Sequence, residues 1–278
     1  MTGDPMIRLI ASDLDETLLD SNHRICERNR RAVAAARELG VRFVPCTGRP
    51  GDSVAGDLEV LGLAGRRGEY VISFNGGVIT ENCGGPALRT ARLDHAHADA
   101  LYRRGTALGL CVHVYTLDTV WVANYVDAER AHIEGRMNIR ETSAPTLDFL
   151  AGDTVVKVLY MSLDMAELRR VAADLAAEGL TDGLDVAYSS NRYLEFNAPG
   201  VNKGAGLMEL AARLGIAREE VMAIGDNSND VPMLRAAGIG VAVANASEEA
   251  RAAAGYVCEA DNDAGGVAEA IERFVLGA

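Results

Sequence analysis

The most constraining stretch of the chain is Asp13-Leu14-Asp15-Glu16-Thr17-Leu18-Leu19, which directly follows the apolar run Ile7-Arg8-Leu9-Ile10-Ala11. The run reads as a buried strand, so two carboxylates leave a strand end two residues apart. Residues two apart in an extended chain face the same way. Two acids crowded on one face repel each other unless a cation or a shared proton relieves them. A helix cap needs one Asp, not two. The pattern points to a site, and the chemistry that uses it is a carboxylate nucleophile, a divalent metal and a second acid handling a proton.

The flanking sequence says what carries this site. Residues 27–39 are Ala-rich with a helical pattern, and Gly40 is a natural stop. Residues 41–46 read as a strand, followed by Thr47-Gly48-Arg49, with Pro50 suited to the first turn of a helix. Tyr70-Val71-Ile72-Ser73-Phe74 is another apolar strand, closed by Asn75-Gly76-Gly77. Strand, helix, strand, helix, strand is the rhythm of a parallel α/β sheet. The tail repeats it: helix over 204–214, strand over 220–224 ending at Gly225-Asp226-Asn227, helix over 231–237, and strand over 239–243.

The middle differs. Two hairpins are expected, 112–115 with 120–123 and 184–188 with 192–196, together with a strand over 155–161 and a helix capped by Asp164. The fold class is therefore α/β: a Rossmann-like core of parallel sheet flanked by helices, built from residues 1–80 and 198–278. An α+β domain, residues 81–197, is inserted into it.

Composition narrows the function classes. The 278 residues, 49% of them apolar, suffice for two cores. No run approaches the roughly 18 apolar residues of a membrane span. Met1-Thr2-Gly3-Asp4-Pro5 lacks the basic and apolar regions of a signal peptide, so a cytoplasmic protein is expected. The five cysteines are scattered without a Cys-x-x-Cys pair, which suits reduced thiols. The five histidines form no ligand pattern and are expected on the surface. A net charge of −13 repels nucleic acid and anionic membrane, so neither is expected as a partner. It also repels phosphate, so any phosphate site must be locally positive. Nothing in the sequence indicates an oligomeric state.

Four polar clusters meet that requirement by placement. Asp13-Leu14-Asp15, Thr47-Gly48-Arg49 and the loop from Gly225 to Asp230 each follow a strand directly. In a parallel sheet they share the carboxyl edge, where open α/β sheets bind ligands. Asn202-Lys203-Gly204 opens the helix before the strand that leads to Asp226. A hydroxyl and N–H groups at a helix start can cradle phosphate, although Thr47-Gly48-Arg49 also fits an ordinary turn. Lys203 could neutralise phosphate or simply face solvent. Asp13 and Asp226 are hard oxygen donors of the kind magnesium takes. Asn75-Gly76 fits a tight turn with Asn75 as a supporting residue.

These clusters, in this order, resemble the haloacid dehalogenase superfamily of phosphohydrolases. The matching residues are Asp13-Leu14-Asp15-Glu16-Thr17-Leu18, Thr47-Gly48-Arg49, Lys203-Gly204 and Gly225-Asp226-Asn227-Ser228-Asn229-Asp230-Val231-Pro232-Met233-Leu234. The large insert, with Phe74-Asn75-Gly76-Gly77 before it and Leu194-Glu195-Phe196 at its end, is similar to the cap of the Cof-type subfamily. Glu16 stands where many relatives carry Gly. The resemblance implies a Mg2+-dependent phosphatase of small phosphorylated metabolites, sugar phosphates or phosphorylated cofactors and nucleotides, working through an aspartyl phosphate. It implies Asp13 as nucleophile and metal ligand, and Asp15 as proton carrier and, through its carbonyl, metal ligand. Asp226 would be the second metal carboxylate. Thr47, the Gly48 amide, Lys203 and Asn229 would bind the phosphoryl group, with Asp230, Asn75 and Arg49 in support. The insert would contact the leaving group, where His113, Tyr115, Arg192 and Tyr193 are candidates, although residues of this kind in strands usually serve packing. A phosphomutase or phosphotransferase on the same intermediate is the near rival. A non-enzymatic phospho-ligand-binding protein is the rival from another class.

Overall fold

A computed structural model of the chain describes residues 6–135 and 137–277, so residues 1–5, read above for targeting, lie outside the described residues. The chain divides into two compact units, Met1–Arg89 with Asn202–Ala278, and Thr90–Val201.

The first unit is built on a five-stranded sheet in the order Tyr256–Val257, Ile239–Ala242, Val221–Gly225, Leu9–Ser12, Arg42–Pro45. Every neighbouring pair is parallel. Its strands are short apolar runs because both faces are covered, as a parallel sheet requires. Leu9–Ser12 shows the alternation: Ile10 packs into one hydrophobic cluster, Leu9 and Ala11 into the other. One face is covered by Glu27–Glu38 and Gly266–Ile271, through Ala32, Val33, Val267 and Ile271. The other is covered by Lys203–Arg213 and Val231–Ala236, through Leu207, Leu210, Met233 and Leu234. Fully burying one such aliphatic side chain is worth about 1.5–3 kcal/mol, so these stripes hold the strand ends, and the polar residues beyond them, in fixed register.

Tyr70–Ser73 is a strand, as the sequence suggests, but it does not continue the parallel sheet. It pairs antiparallel with Val78–Glu81 in a separate three-stranded sheet. A parallel bridge between Cys46 and Ile72 joins it to the parallel sheet. Beyond it, Phe74 and Asn75 take φ of 50 and 55, and this left-handed turn reverses the chain into Val78–Glu81.

The second unit holds a six-stranded sheet in the order Asp185–Ser189, Tyr193–Asn197, Lys157–Met161, Cys111–Tyr115, Val120–Ala123, Ile139–Glu141. Both expected hairpins form, with Tyr115 opposite Val120 and Ser189 opposite Tyr193. Asp164 caps the helix Met165–Ala177 by accepting from the N–H groups of Ala166 and Glu167. That helix and His95–Ala107 cover one sheet face, where Leu101 and Leu168 meet Val112, Val158 and Leu194. The opposite face carries buried polar residues as well as apolar ones. Lys157 pairs with Glu195 at 2.5 Å, and Glu129 accepts from Tyr193 Oη at 2.6 Å and from Arg192 at 3.0 Å. His113 is fully buried among them, contrary to the surface position expected for the histidines. His95 and His97 are half-buried, each with a ring nitrogen against a backbone carbonyl. Among the described residues, no helix is long and apolar enough to cross a membrane.

Candidate active site

Asp13 takes its position from the sheet. Its N–H donates to the Ile224 carbonyl of the neighbouring strand at 3.0 Å, which sets it beside Gly225 and Asp226 at the carboxyl edge. The helix Lys203–Arg213 starts at the same edge, its first turn held by Asn202 accepting from the Ala205 N–H at 2.9 Å. Lys203 is fully buried there. Its Nζ lies 2.6 Å from Asp13 Oδ1 and 2.6 Å from Asp230 Oδ1.

Asp230 is the residue that shapes the loop. Its second oxygen accepts from the N–H groups of Asp226 at 2.9 Å and Asn227 at 3.0 Å. Two glycines make this packing possible. A Cβ on Gly225 would sit 2.5 Å from the Asp230 Cβ, and one on Gly204 would sit 2.4 Å from the Pro232 carbonyl oxygen. Asp226 points into the same space, and its Oδ1 accepts from the Thr17 hydroxyl at 2.6 Å. Oxygens of Asp13, Asp226 and Asp230 all lie within 4.8 Å of one another.

The electrostatics follow from three carboxylates sharing one ammonium. Burial, then the charge of Asp230, pushes the Asp13 carboxyl up to about 7 against the pull of Lys203. Burial, Asp230 and Asp13 together push Asp226 well above the ordinary carboxylate range. Burial alone would lower Lys203, but the charges of Asp13 and Asp230 outweigh it and hold the ammonium firmly protonated. The pocket keeps surplus negative charge that a cation would relieve. Both Asp230 oxygens are occupied by Lys203 and the loop, whereas Asp13 and Asp226 each keep one oxygen outside these hydrogen bonds. The donors fit a hard divalent ion held by Asp13 and Asp226.

A second web begins at Asp15. Arg49 grips it bidentately, with Nε at 2.7 Å from Oδ2 and the other nitrogen on Oδ1. Thr47 is buried, its N–H on the Ile72 carbonyl at 2.8 Å, and its hydroxyl oxygen accepts from the Arg49 N–H at 3.1 Å. Gly48 is half-buried in that turn. The N–H of Asn75 donates to the Thr47 carbonyl at 2.9 Å, and Asn229 reaches the Asn75 side chain at 3.4 Å. The ten residues assigned to catalysis, phosphate, metal or support thus lie in the first unit, whereas His113, Tyr115, Arg192 and Tyr193 lie in the second. Nine of the ten form two webs, Asp13–Lys203–Asp230–Asp226 and Asp15–Arg49–Thr47–Asn75–Asn229, joined through Asp13-Leu14-Asp15, and Gly48 sits in the turn between Thr47 and Arg49. Thr17 belongs to the first web and was assigned no role from sequence. The available signal was its place two residues after Asp15, just past the carboxylate pair.

Comparison with known proteins identifies the family. Residues 10–271 match the haloacid dehalogenase-like hydrolase family. The chain is 30% identical to the 5-amino-6-(5-phospho-D-ribitylamino)uracil phosphatase YcsE of Bacillus subtilis, over 97% of this chain and 96% of that one. It is also 30% identical to a phosphoglycolate phosphatase of Methanothermobacter thermautotrophicus, over 97% and 99%. A solved haloacid dehalogenase-like hydrolase from Bacteroides thetaiotaomicron is 34% identical and superposes with a TM-score of 0.81, covering 96% of this chain and 99% of its own. With near-complete coverage in each comparison, the chain belongs to the haloacid dehalogenase-like hydrolase family.

Proposed function

We propose that this hydrolase is a magnesium-dependent phosphatase of small phosphorylated metabolites that works through an aspartyl phosphate. The observation that carries the reading is Asp13: a buried carboxylate at the end of the central strand, aligned on one oxygen by a buried lysine and open on the other. An Asp13 oxygen attacks phosphorus, and the new O–P bond forms as the ester P–O bond breaks opposite it. Asp15 gives a proton to the departing oxygen. It then takes one from the water that cleaves the acyl phosphate, which releases inorganic phosphate and regenerates Asp13.

A phosphoryl transition state spreads negative charge over its oxygens, so catalysis is mostly positioning and charge neutralisation. Lys203, Asn229, the Gly48 amide and the Thr47 hydroxyl are the groups assigned to those oxygens. Because the Thr47 oxygen accepts from the Arg49 N–H, its own proton is left to donate. Asp13, Asp226 and the Asp15 carbonyl would hold the Mg2+. When bound, the ion neutralises charge on the transferring group and lets an anionic carboxylate approach an anionic phosphate. The phosphatase names of two relatives at 30% identity support the substrate class.

Phosphate release from an aryl phosphate, then from a panel of phosphorylated metabolites, tests the reading. Wild type should release phosphate with Mg2+ and not with a chelator, and Asp13→Asn should release none. Equal release by Asp13→Asn, or none by wild type across the panel, would favour a phospho-ligand-binding protein instead.

A further inference from the structure

The web around Arg49 assigns that residue a task of its own. Its backbone is pinned on both sides: the N–H donates to the Thr47 hydroxyl at 3.1 Å, and the carbonyl accepts from the Phe74 N–H at 3.1 Å. Pro50 follows and restricts the chain further. The side chain is 14% exposed and spends two of its N–H groups on the two oxygens of Asp15. Its charge faces Asp15 first, then Asp57 of the neighbouring helix and Asp13. That leaves little positive charge for a phosphoryl oxygen. The Asp15 side chain is 30% exposed, and among the described residues the side-chain hydrogen bonds to its carboxylate come from Arg49. Without Arg49 it would swing between rotamers at the edge of the pocket.

A carboxylate offers about four lone-pair positions. Arg49 occupies two of them, one on each oxygen, so Asp15 is fixed in orientation and still able to take and give a proton. We propose that Arg49 is a positioning residue that acts on the reaction only through Asp15. This rests on the reading of Asp15 as proton carrier given above. Thr47 and Asp15 are thereby set by one residue: Arg49 holds the hydroxyl with its backbone and the carboxylate with its fork. Lysine could supply the charge but not the two-pronged grip.

The test is a double-mutant cycle of Arg49→Ala and Asp15→Asn, with rates normalised to the folded fraction. It is read as kcat/KM on a simple alkyl phosphate and on 4-nitrophenyl phosphate. That ratio reports events up to departure of the leaving group. An alkoxide needs the proton from Asp15 to depart, and nitrophenolate does not. Misplacing a catalytic group by about 1 Å costs on the order of 100-fold, so Arg49→Ala should lower kcat/KM on the alkyl ester by about 10–100-fold. On 4-nitrophenyl phosphate it should change kcat/KM by about twofold or less. Added to Asp15→Asn, it should cause almost no further loss, and Arg49→Lys should recover only part of the wild-type rate. If Asp15→Asn is impaired but the two losses multiply, or if Arg49→Ala slows both esters equally, Arg49 acts on its own and the proposal fails while the phosphatase reading stands. If Asp15→Asn hydrolyses the alkyl ester normally, the proton-carrier assignment falls and takes this proposal with it.

Discussion

Replacing Asp13 with Asn should make the metal-free protein more stable at pH 8 while abolishing its activity. The Asp13 carboxyl is buried, faces Asp230 and Asp15 as well as Lys203, and is pushed up to about 7 from an ordinary 3.8. The attraction of Lys203 is already contained in that net value. An acid whose folded value is raised keeps its proton longer in the folded chain than in the unfolded one. Its contribution to stability is present in full below about pH 4 and is lost as pH climbs through 7. Each pH unit between the two values is worth about 1.4 kcal/mol, so complete ionisation of Asp13 withdraws on the order of 4 kcal/mol. Asn keeps the shape and an oxygen that can accept from Lys203, but it cannot ionise. Asp13→Asn should therefore gain on the order of 2–4 kcal/mol at pH 8 and clearly less at pH 5. Urea denaturation of both proteins in EDTA at the two pH values measures the difference. Added Mg2+ at pH 8 should stabilise wild type more than the variant, because only wild type offers both carboxylates to the ion. A variant less stable than wild type in EDTA at pH 8, or a difference independent of pH, would refute the reasoning.

Other expectations follow from single contacts. Gly225→Ala drives a methyl to within 2.5 Å of the Asp230 Cβ; it should lower stability by about 1–3 kcal/mol and stop phosphate release, and full activity would show that the loop is not tied to catalysis. Lys157→Met leaves Glu195 buried beside a lost partner; a loss of about 3–5 kcal/mol in denaturant is expected, and a loss under about 1 kcal/mol would refute it. His113 is held neutral by burial and then by nearby Lys157, which bring it down to about 3 from 6.5. Glu129 lies 3.5 Å from it, but that carboxylate is already engaged by Arg192 and Tyr193. The unfolded chain takes the proton first, so the contribution of His113 is complete above about pH 6.5 and is lost as pH falls toward 3. His113→Gln should flatten the acid limb of the stability profile, and an unchanged slope would count against the assignment.

The carboxyl-edge residues were legible because each follows a strand whose apolar pattern is unmistakable. Asp13 comes straight after Leu9–Ser12, and Asp226 straight after Val221–Gly225. Helix limits were close for a similar reason: 204–214 was expected and Lys203–Arg213 is observed, with Asn202 and Gly215 marking its ends. Contacts between distant segments were not legible. Lys203 and Asp13 are 190 residues apart, and no local pattern says that a lysine at one helix start reaches a given carboxylate. The resemblance brought both residues to one site but did not pair them; the 2.6 Å contact comes from the structure. Asp230 was expected near the site, but its grip on two backbone N–H groups depends on a missing Cβ at Gly225, a packing fact rather than a pattern. Tyr70–Ser73 was assigned to the parallel sheet, which it meets through a parallel bridge at Ile72, but its ladder is with Val78–Glu81. That pairing depends on the left-handed turn at Phe74 and Asn75, which brings the chain back alongside, and neither residue is a glycine. The histidines as a group were expected on the surface, but His113 was also read as a strand residue that serves packing, and its burial agrees with that reading because both faces of Cys111–Tyr115 are covered.

Trapping the reaction midway probes the core of the account. Enzyme mixed with a phosphate ester and Mg2+, quenched in acid within a turnover and digested, should carry a phosphoryl group on the peptide containing Asp13. Asp13→Asn should carry none. Phosphate released at the wild-type rate with the group on another residue, or with no phosphorylated enzyme at any time point, would contradict it.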